Sequence, residues 1–473
     1  MKRVSAATGL IFLLLSGGIS QPLSVSPNGH FLETPQGEPF FWLGDTGWEL
    51  FHRLDREEAQ CYLKNRAEKG FNVIQAVVLH ELEAFESPNA YGDFPLIGQD
   101  ILHPDTTRGS DPVDPVQYDY WDHVEYILGE AASLGLLVGL LPCWGEYVTP
   151  RFRERVICTP EQGYAYGYFV GKRFRVYNDH LVWILGGDRL PDERSDGVEI
   201  WRAMAEGITD GVSGTPGFDG SADYGRTFMT YHCYTSSSRW FHLDPWIDMH
   251  TWGSYHEKRD NERAYYEAQD DWKLDPPKPT LNSEPAYELL PVNYDWAEVS
   301  QGRFDDFDVR QQAYWAVFAG TCGHTYGCNP VWQMYKRKNP HPPLTLQNRK
   351  TWNEALDEPG AFQMAYLKKL ILSRSFFDRE PAQYVLGENP YDPAGRLQAC
   401  AGDHYWMVYI PTGKEVLLDL TQLRGDRATA TWFNPRNGAF GTPEPVATGA
   451  LARFDPPGET GRGNDWVLII DFE

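Results

Sequence analysis

A (β/α)8 TIM barrel followed by a small C-terminal β-sandwich is the fold class that this 473-residue sequence predicts, and three observations carry the prediction. The length exceeds one ordinary compact domain but suits a barrel of roughly 250 residues or more with an appended domain of about 100. From near Phe40 to about Ser373, short apolar runs alternate with longer amphipathic stretches, eight runs in all. Past residue 374 the pattern changes to period-two alternation broken by turns, the signature of antiparallel strands with one face buried.

Taken in order, residues 1–20 read as a secretory leader, with Lys2 and Arg3, an apolar run from Leu10 to Leu15, and small residues at Gly17, Gly18 and Ser20. A secreted or periplasmic location is therefore expected. The run is far shorter than the ~20 residues of a membrane-spanning helix, and no later segment supplies one. The barrel domain is expected over 21–373. Its opening turns, Ser26-Pro27-Asn28-Gly29 and Pro35-Gln36-Gly37, mark a short hairpin, read as a plug at the barrel floor.

Strands are expected at Pro39–Leu43, Phe71–Leu79, Leu136–Pro142 and Leu181–Leu185, then at Thr227–Tyr231, Trp246–His250, Pro279–Asn282 and Ala319–Tyr326. Continuous apolar runs of this length fit parallel strands buried on both faces. Helices are expected between them at Arg56–Lys69, Tyr120–Leu134, Tyr164–Tyr177, Gly197–Ile208, Asn261–Asp271 and Val309–Phe318, with Trp352–Leu372 after the last run. Thr235–Leu243 carries the least helical pattern of the connections. The sandwich, 374–473, draws strands from Tyr405–Ile410, Glu415–Leu420, Ala428–Phe433 and Trp466–Ile470.

Acidic residues outnumber basic ones by 66 to 42, a net charge of −24, which repels nucleic acid and anionic lipid. An acidic sugar polymer is not excluded, because salt screens the global charge over about 10 Å and a local basic pocket outweighs it at closer range. No G-x-G-x-x-G follows the first run, no G-x-S-x-G elbow occurs, and His80 does not open a complete H-E-x-x-H. Nucleotide, esterase and zinc-protease chemistry thus lose their usual anchors. Seven cysteines are too few for a disulfide scaffold and odd in number; Cys322 and Cys328 either bridge a short loop or stay buried and free. No cofactor and no metal are expected, and a monomer is.

In such a barrel the reacting groups sit at the C-terminal strand ends, so the polar residues next to each run are the candidates. These are Asp45 and Trp48 after the first run, Gln75 within the second and His80 after it, Trp144 and Glu146 after the third, and Asp188 and Arg189 after the fourth. His232 follows the fifth, His250 and Trp252 the sixth, Glu284 the seventh, and His324, Asn329 and Trp332 the eighth. Carboxylates, imidazoles, amides and indoles on one rim suit a sugar, whose hydroxyls need hydrogen bonds and whose C–H faces stack on rings. Asp45 reads equally as a hydroxyl-binding group or an Asx turn, each histidine alone as a hydrogen-bonded core residue, and each tryptophan alone as core.

Glycoside hydrolysis needs two carboxyl groups across the scissile bond, and Asp188 and Glu284 are the best-placed pair. Gly186 and Gly187 remove bulk before Asp188, and Pro285 biases Glu284 toward extended backbone. Glu284 is read as nucleophile and Asp188 as acid/base. The competing structural role is a salt bridge from either carboxylate to a rim arginine such as Arg189.

Trp42-Leu-Gly-Asp-Thr-Gly-Trp48, Lys69-Gly-Phe-Asn-Val-Ile-Gln75, Trp183-Ile-Leu-Gly-Gly-Asp188 and Asn282-Ser-Glu-Pro285 together resemble glycoside hydrolase family one hundred and forty, the apiosidase-like barrels. Trp432-Phe-Asn-Pro-Arg-Asn-Gly438 resembles that family's C-terminal domain, which carries a collagen-binding label; a purely structural role for it is the alternative. The resemblance implies a retaining enzyme acting on apiose linked to galacturonic acid in the pectin rhamnogalacturonan II. It also implies Asp188 as acid/base and Glu284 as nucleophile. Gly-Gly-Asp stands where the large clan of retaining barrels has Asn-Glu. Another furanoside substrate, an arabinofuranoside or galactofuranoside, stays open, as does a non-catalytic carbohydrate-binding protein.

Overall fold

The computed structural model describes residues 21–473 apart from 81, 83–86, 152–155, 296, 339–349, 391, 424 and 426. The leader expected at 1–20 lies outside the described residues. The chain opens with an antiparallel three-stranded sheet, β1 (Ser24–Val25), β2 (Leu32–Glu33) and β3 (Pro39–Phe40). It lies against the segment that precedes one of the later parallel strands: His30 stacks on Trp272 with ring centroids 3.6 Å apart, and Gly29 approaches Pro277.

Eight parallel strands follow: β4 (Trp42–Thr46), β5 (Val73–Leu79), β6 (Leu137–Cys143), β7 (Leu181–Gly186), β8 (Met229–His232), β9 (His250–Gly253), β10 (Thr280–Glu284) and β11 (Gly323–Tyr326). Six of them form one curled sheet in the order β11-β4-β5-β6-β7-β8, and β9 pairs with β10 in a second parallel ladder. Every residue of these eight strands is buried, as continuous apolar runs require.

The helices are α1 (Leu50–Arg53), α2 (Arg56–Glu68), α3 (Tyr120–Ser133), α4 (Pro160–Phe174), α5 (Gly197–Ser213), α6 (Ser238–Phe241), α7 (Arg263–Asp271), α8 (Asp306–Phe318), α9 (Asn329–Trp332) and α10 (Pro359–Ile371). Asp55, Asp119 and Asp305 open α2, α3 and α8 through capping boxes, each satisfying backbone donors that the first turn leaves free. Helices α4 and α5 pack backbone against backbone: a Cβ on Gly171 would lie 2.2 Å from the Ile208 carbonyl oxygen. No described helix is long and apolar enough to cross a membrane.

Two strands are displaced from their expected positions. The first run, Pro39–Leu43, is split: Pro39–Phe40 joins the opening antiparallel sheet as β3, and the parallel strand β4 runs on to Thr46, so that Asp45 lies within it. The sixth run, Trp246–His250, does not form a strand; β9 begins at His250. Asp248 bonds the start of β8 from this stretch, its N–H donating to the Met229 carbonyl oxygen at 2.9 Å and its carboxylate accepting from the Met229 N–H at 2.7 Å, and Trp246 is buried against Phe241. That apolar stretch is a packed connection.

The remaining strands are β12 (Glu380–Pro381), β13 (Gln398–Gly402), β14 (Tyr405–Ile410), β15 (Val416–Asp419), β16 (Ala428–Asn434), β17 (Ala439–Phe440), β18 (Glu444–Val446), β19 (Leu451–Phe454) and β20 (Trp466–Phe472). They make an antiparallel sheet, β12-β13-β14-β20-β16-β17 with β18 also on β16, and a β15-β19 pair. Trp406, Val408, Leu418, Leu468 and Ile470 share one core. Arg310 of α8 meets Asp465 with two buried hydrogen bonds, 2.8 and 2.9 Å, tying this sheet to the helical layer. All seven cysteines are unbridged, so Cys322 and Cys328 stay buried thiols.

Candidate functional site

The site forms where β7 and β10 end. Gly186, Gly187 and Asp188 have φ of 87°, 132° and 53° in succession, a left-handed run that two glycines make accessible. The Gly187 N–H donates to the His232 carbonyl oxygen at 2.8 Å, so the chain stays registered on β8 while turning Asp188 inward.

Glu284 arrives by another device. The β9–β10 register slips between Asn282 and Glu284, a bulge at Ser283 that re-aims the following side chain. In consequence Ser283 and Glu284 approach the same imidazole, Ser283 Oγ at 3.0 Å from His232 Nδ1 and Glu284 Oε2 at 3.0 Å from His232 Nε2.

His232 Nε2 also lies 3.8 Å from Asp188 Oδ1, and one oxygen of each carboxylate and this nitrogen all lie within 4.8 Å of one another. His256 Nε2 stands 3.3 Å from Glu284 Oε1. Burial would expel the charge from His232, but the nearby Asp188 carboxylate and the hydrogen bond with Glu284 outweigh it and lift the imidazole to about 9. Burial likewise disfavours the Glu284 anion, and the bonds from His232 and His256 overturn that, holding it down at about 2. Glu284 is thus an anion fixed between two imidazoles. The trio Asp188, His232 and Glu284 is near enough to ligate a cation.

Beside Asp188 opens a cavity of about 460 Å³ lined by Arg151, Arg189, Tyr234, Tyr255 and Tyr294 among others. The Asp188 side chain is 28% exposed and faces it, whereas Glu284 is 8% exposed. One carboxyl is therefore open to an incoming group and the other is enclosed.

A family model described as "Apiosidase-like, catalytic domain" matches residues 26–378. The chain belongs to the apiosidase-like family. A second model, "Putative collagen-binding domain of a collagenase", matches residues 381–471, so this apiosidase-like chain joins a catalytic domain to a collagen-binding-like one. Among solved structures, one titled glycoside hydrolase is 31% identical with a TM-score of 0.80, covering 96% of this chain and 97% of its own. Another, described as a glycoside hydrolase family 5 protein from Bacteroides vulgatus, is 31% identical with a TM-score of 0.81, covering 95% and 93%. No curated protein matches the chain. The apiosidase-like protein is a glycoside hydrolase.

Around the two carboxylates the apiosidase-like fold gathers several of the rim residues expected from sequence. Trp48 and Trp144 wall His232, with ring centroids 5.5 and 5.7 Å from it. His80 is paired with Glu49 and lies beside Trp144 and Trp332. Gln75 sits beneath, donating to the Ser283 carbonyl oxygen at 3.0 Å and bracing the bulge. Arg189 bonds Glu146 at 2.7 Å.

Four expected rim residues lie elsewhere. Asp45 accepts from Tyr62 at 2.6 Å and Arg66 at 2.7 Å, both on α2. His250 meets Ser237 and His242, and Trp252 packs against Ala268 and Ala316 of the helices. His324 is fully buried, and burial lowers it to about 3. The reason is strand parity. On β4 and β11, Trp42 and Thr325 share a hydrogen bond of 3.2 Å, and Asp45 and His324 occupy the opposite faces. Tyr255, His256, Tyr287 and Glu49 were not singled out from the sequence; Tyr255 and His256 follow β9, whose displacement hid them.

Proposed function

We propose that this enzyme is a retaining glycosidase of a pectic glycan, cleaving an apiosidic linkage of rhamnogalacturonan II, with Glu284 as nucleophile and Asp188 as acid/base. The observation that carries the reading is the approach of the two carboxylates to within 4.8 Å at their nearer oxygens. Carboxyl groups about 5–5.5 Å apart suit a covalent glycosyl-enzyme, whereas about 6.5–9.5 Å leaves room for the water of an inverting reaction. Glu284 attacks the anomeric carbon as the bond to the leaving oxygen breaks, and that oxygen takes the Asp188 proton. Asp188, now a carboxylate, then removes a proton from water as the water displaces Glu284, restoring both groups. The ionised, twice hydrogen-bonded Glu284 suits attack, and the cavity beside Asp188 suits a departing sugar.

The proposal extends to architecture and location. The Cys322 N–H to Thr280 O and Asp248 N–H to Met229 O bonds, both 2.9 Å, cross between the two parallel sheets and support closure into a (β/α)8 barrel, with the C-terminal sheets as a sandwich. Secretion rests on the pattern of residues 1–20.

The test is digestion of rhamnogalacturonan II side-chain fragments by wild type, Glu284→Gln and Asp188→Asn, with the first-formed anomer read by NMR. Release of an apiose-linked product with retained configuration, abolished in both variants, is expected. Cleavage of arabinofuranosides or galactofuranosides alone overturns the substrate, an inverted first product overturns the mechanism, and inertness on every glycoside overturns both.

A further inference from the structure

Tyr255 touches both members of the carboxyl pair through different atoms. Its backbone N–H donates to the Glu284 carbonyl oxygen at 3.0 Å, and its phenol donates to Asp188 Oδ1 at 2.6 Å. The ring is 3% exposed and clamped from outside. Tyr234 stacks on it with centroids 4.8 Å apart, the Arg263 guanidinium covers Tyr234 at 4.1 Å, and the Tyr234 hydroxyl bonds Glu257 at 2.8 Å. Tyr255 also has φ of 52°, a left-handed conformation that a bulky residue keeps only where its surroundings over-determine it.

We infer that Tyr255 is the positioning residue of the acid/base, fixing the Asp188 carboxyl relative to Glu284 and selecting which of its oxygens carries the transferred proton. The inference rests on the glycosidase reading of the pair. Oδ1 is engaged by the Tyr255 phenol and faces His232 Nε2 at 3.8 Å, so the proton sits on Oδ2. As that proton passes to the leaving oxygen, Asp188 becomes a carboxylate, and the phenol, already donating to Oδ1, stabilises the charge where it appears. The other charged and titratable groups facing Asp188 are His232, Glu284, Tyr287 and Tyr294, with Arg151, Arg189, Glu193 and Glu257 in the cavity wall.

The test is Tyr255→Phe, which keeps the ring and its stacking. Two substrates are compared: a pectic fragment, whose sugar leaving group needs the proton, and a 4-nitrophenyl apiofuranoside, whose phenolate departs without it. The kcat/KM for the fragment is expected to fall about 10- to 100-fold and that for the aryl glycoside less than about threefold, because acid assistance is worth that much only where the leaving group requires it. A crystal structure of the variant should have the Asp188 carboxylate turned from its present place. An equal loss on both substrates, or none on either with Asp188 unmoved, overturns the inference. Wild type inert on both substrates overturns the apiosidase reading separately, and the variant's crystal structure then still decides whether Tyr255 positions Asp188.

Discussion

Gly187 has no room for a side chain, and its replacement by alanine strikes the turn that aims Asp188. At φ 132° a Cβ would lie 2.7 Å from the Trp144 indole and 2.9 Å from the Gly145 amide nitrogen. Holding a non-glycine residue there costs about 1–3 kcal/mol, and forcing atoms into a packed wall about 1–3 kcal/mol more. The loop can relieve this only by moving away from Trp144, which carries Asp188 with it. A displacement near 1 Å at a reacting group costs about 100-fold in rate, so Gly187→Ala should lower kcat about that much while changing KM less. Gly37→Ala separates strain from position: Gly37 also has positive φ, 80°, but nothing stands within 4 Å of its added Cβ and it lies in the opening hairpin. That variant should lose about 1 kcal/mol of stability and no rate. Steady-state kinetics with any glycoside the wild type turns over, beside thermal melts of both variants, measure this. Wild-type kinetics in Gly187→Ala would refute the claim that the turn aims the acid.

Two further outcomes follow from buried charges. His232 is raised from 6.5 to about 9, so its contribution to stability is complete below pH 6.5 and is lost as pH climbs through about 9, a difference of about 3 kcal/mol. Wild type should therefore lose more Tm between pH 6 and pH 10 than His232→Asn; equal losses refute the pairing. The lowered Glu284 value, lost instead as pH falls through about 2, is the same attraction seen from its partner and is not added. Asp45→Asn leaves Arg66, fully buried, without its counter-charge and should cost about 3–5 kcal/mol with kcat/KM of the folded fraction unchanged. A fall in kcat/KM at unchanged Tm would return Asp45 to the substrate site.

Six of the eight parallel strands are legible in place because each is buried on both faces, which makes its run continuous; the first and sixth runs mark strands that begin later, at Trp42 and His250. The same continuity erases phase. A run apolar on both sides carries no period-two mark of which residues face the interior, and so nothing in the sequence separates the rim from Asp45, His250, Trp252 and His324, which parity turns toward the helices. The start of β9 is hidden for a related reason: Trp246–Met249 is as apolar as a strand, and nothing local says that it packs as a connection. The proposed catalytic pair escaped this ambiguity because neither residue rides on a regular strand position. Asp188 follows β7 on a left-handed turn, written into the sequence as Gly186-Gly187, and Glu284 follows a bulge at Ser283, flanked by Pro285. Breaks in a repeat have compositional marks, whereas positions within it do not. Tyr255 marks the limit of that rule, since its left-handed backbone is held by Tyr234, Glu284 and Asp188 from other segments, and a tyrosine in a loop carries no sign of the contacts that hold it.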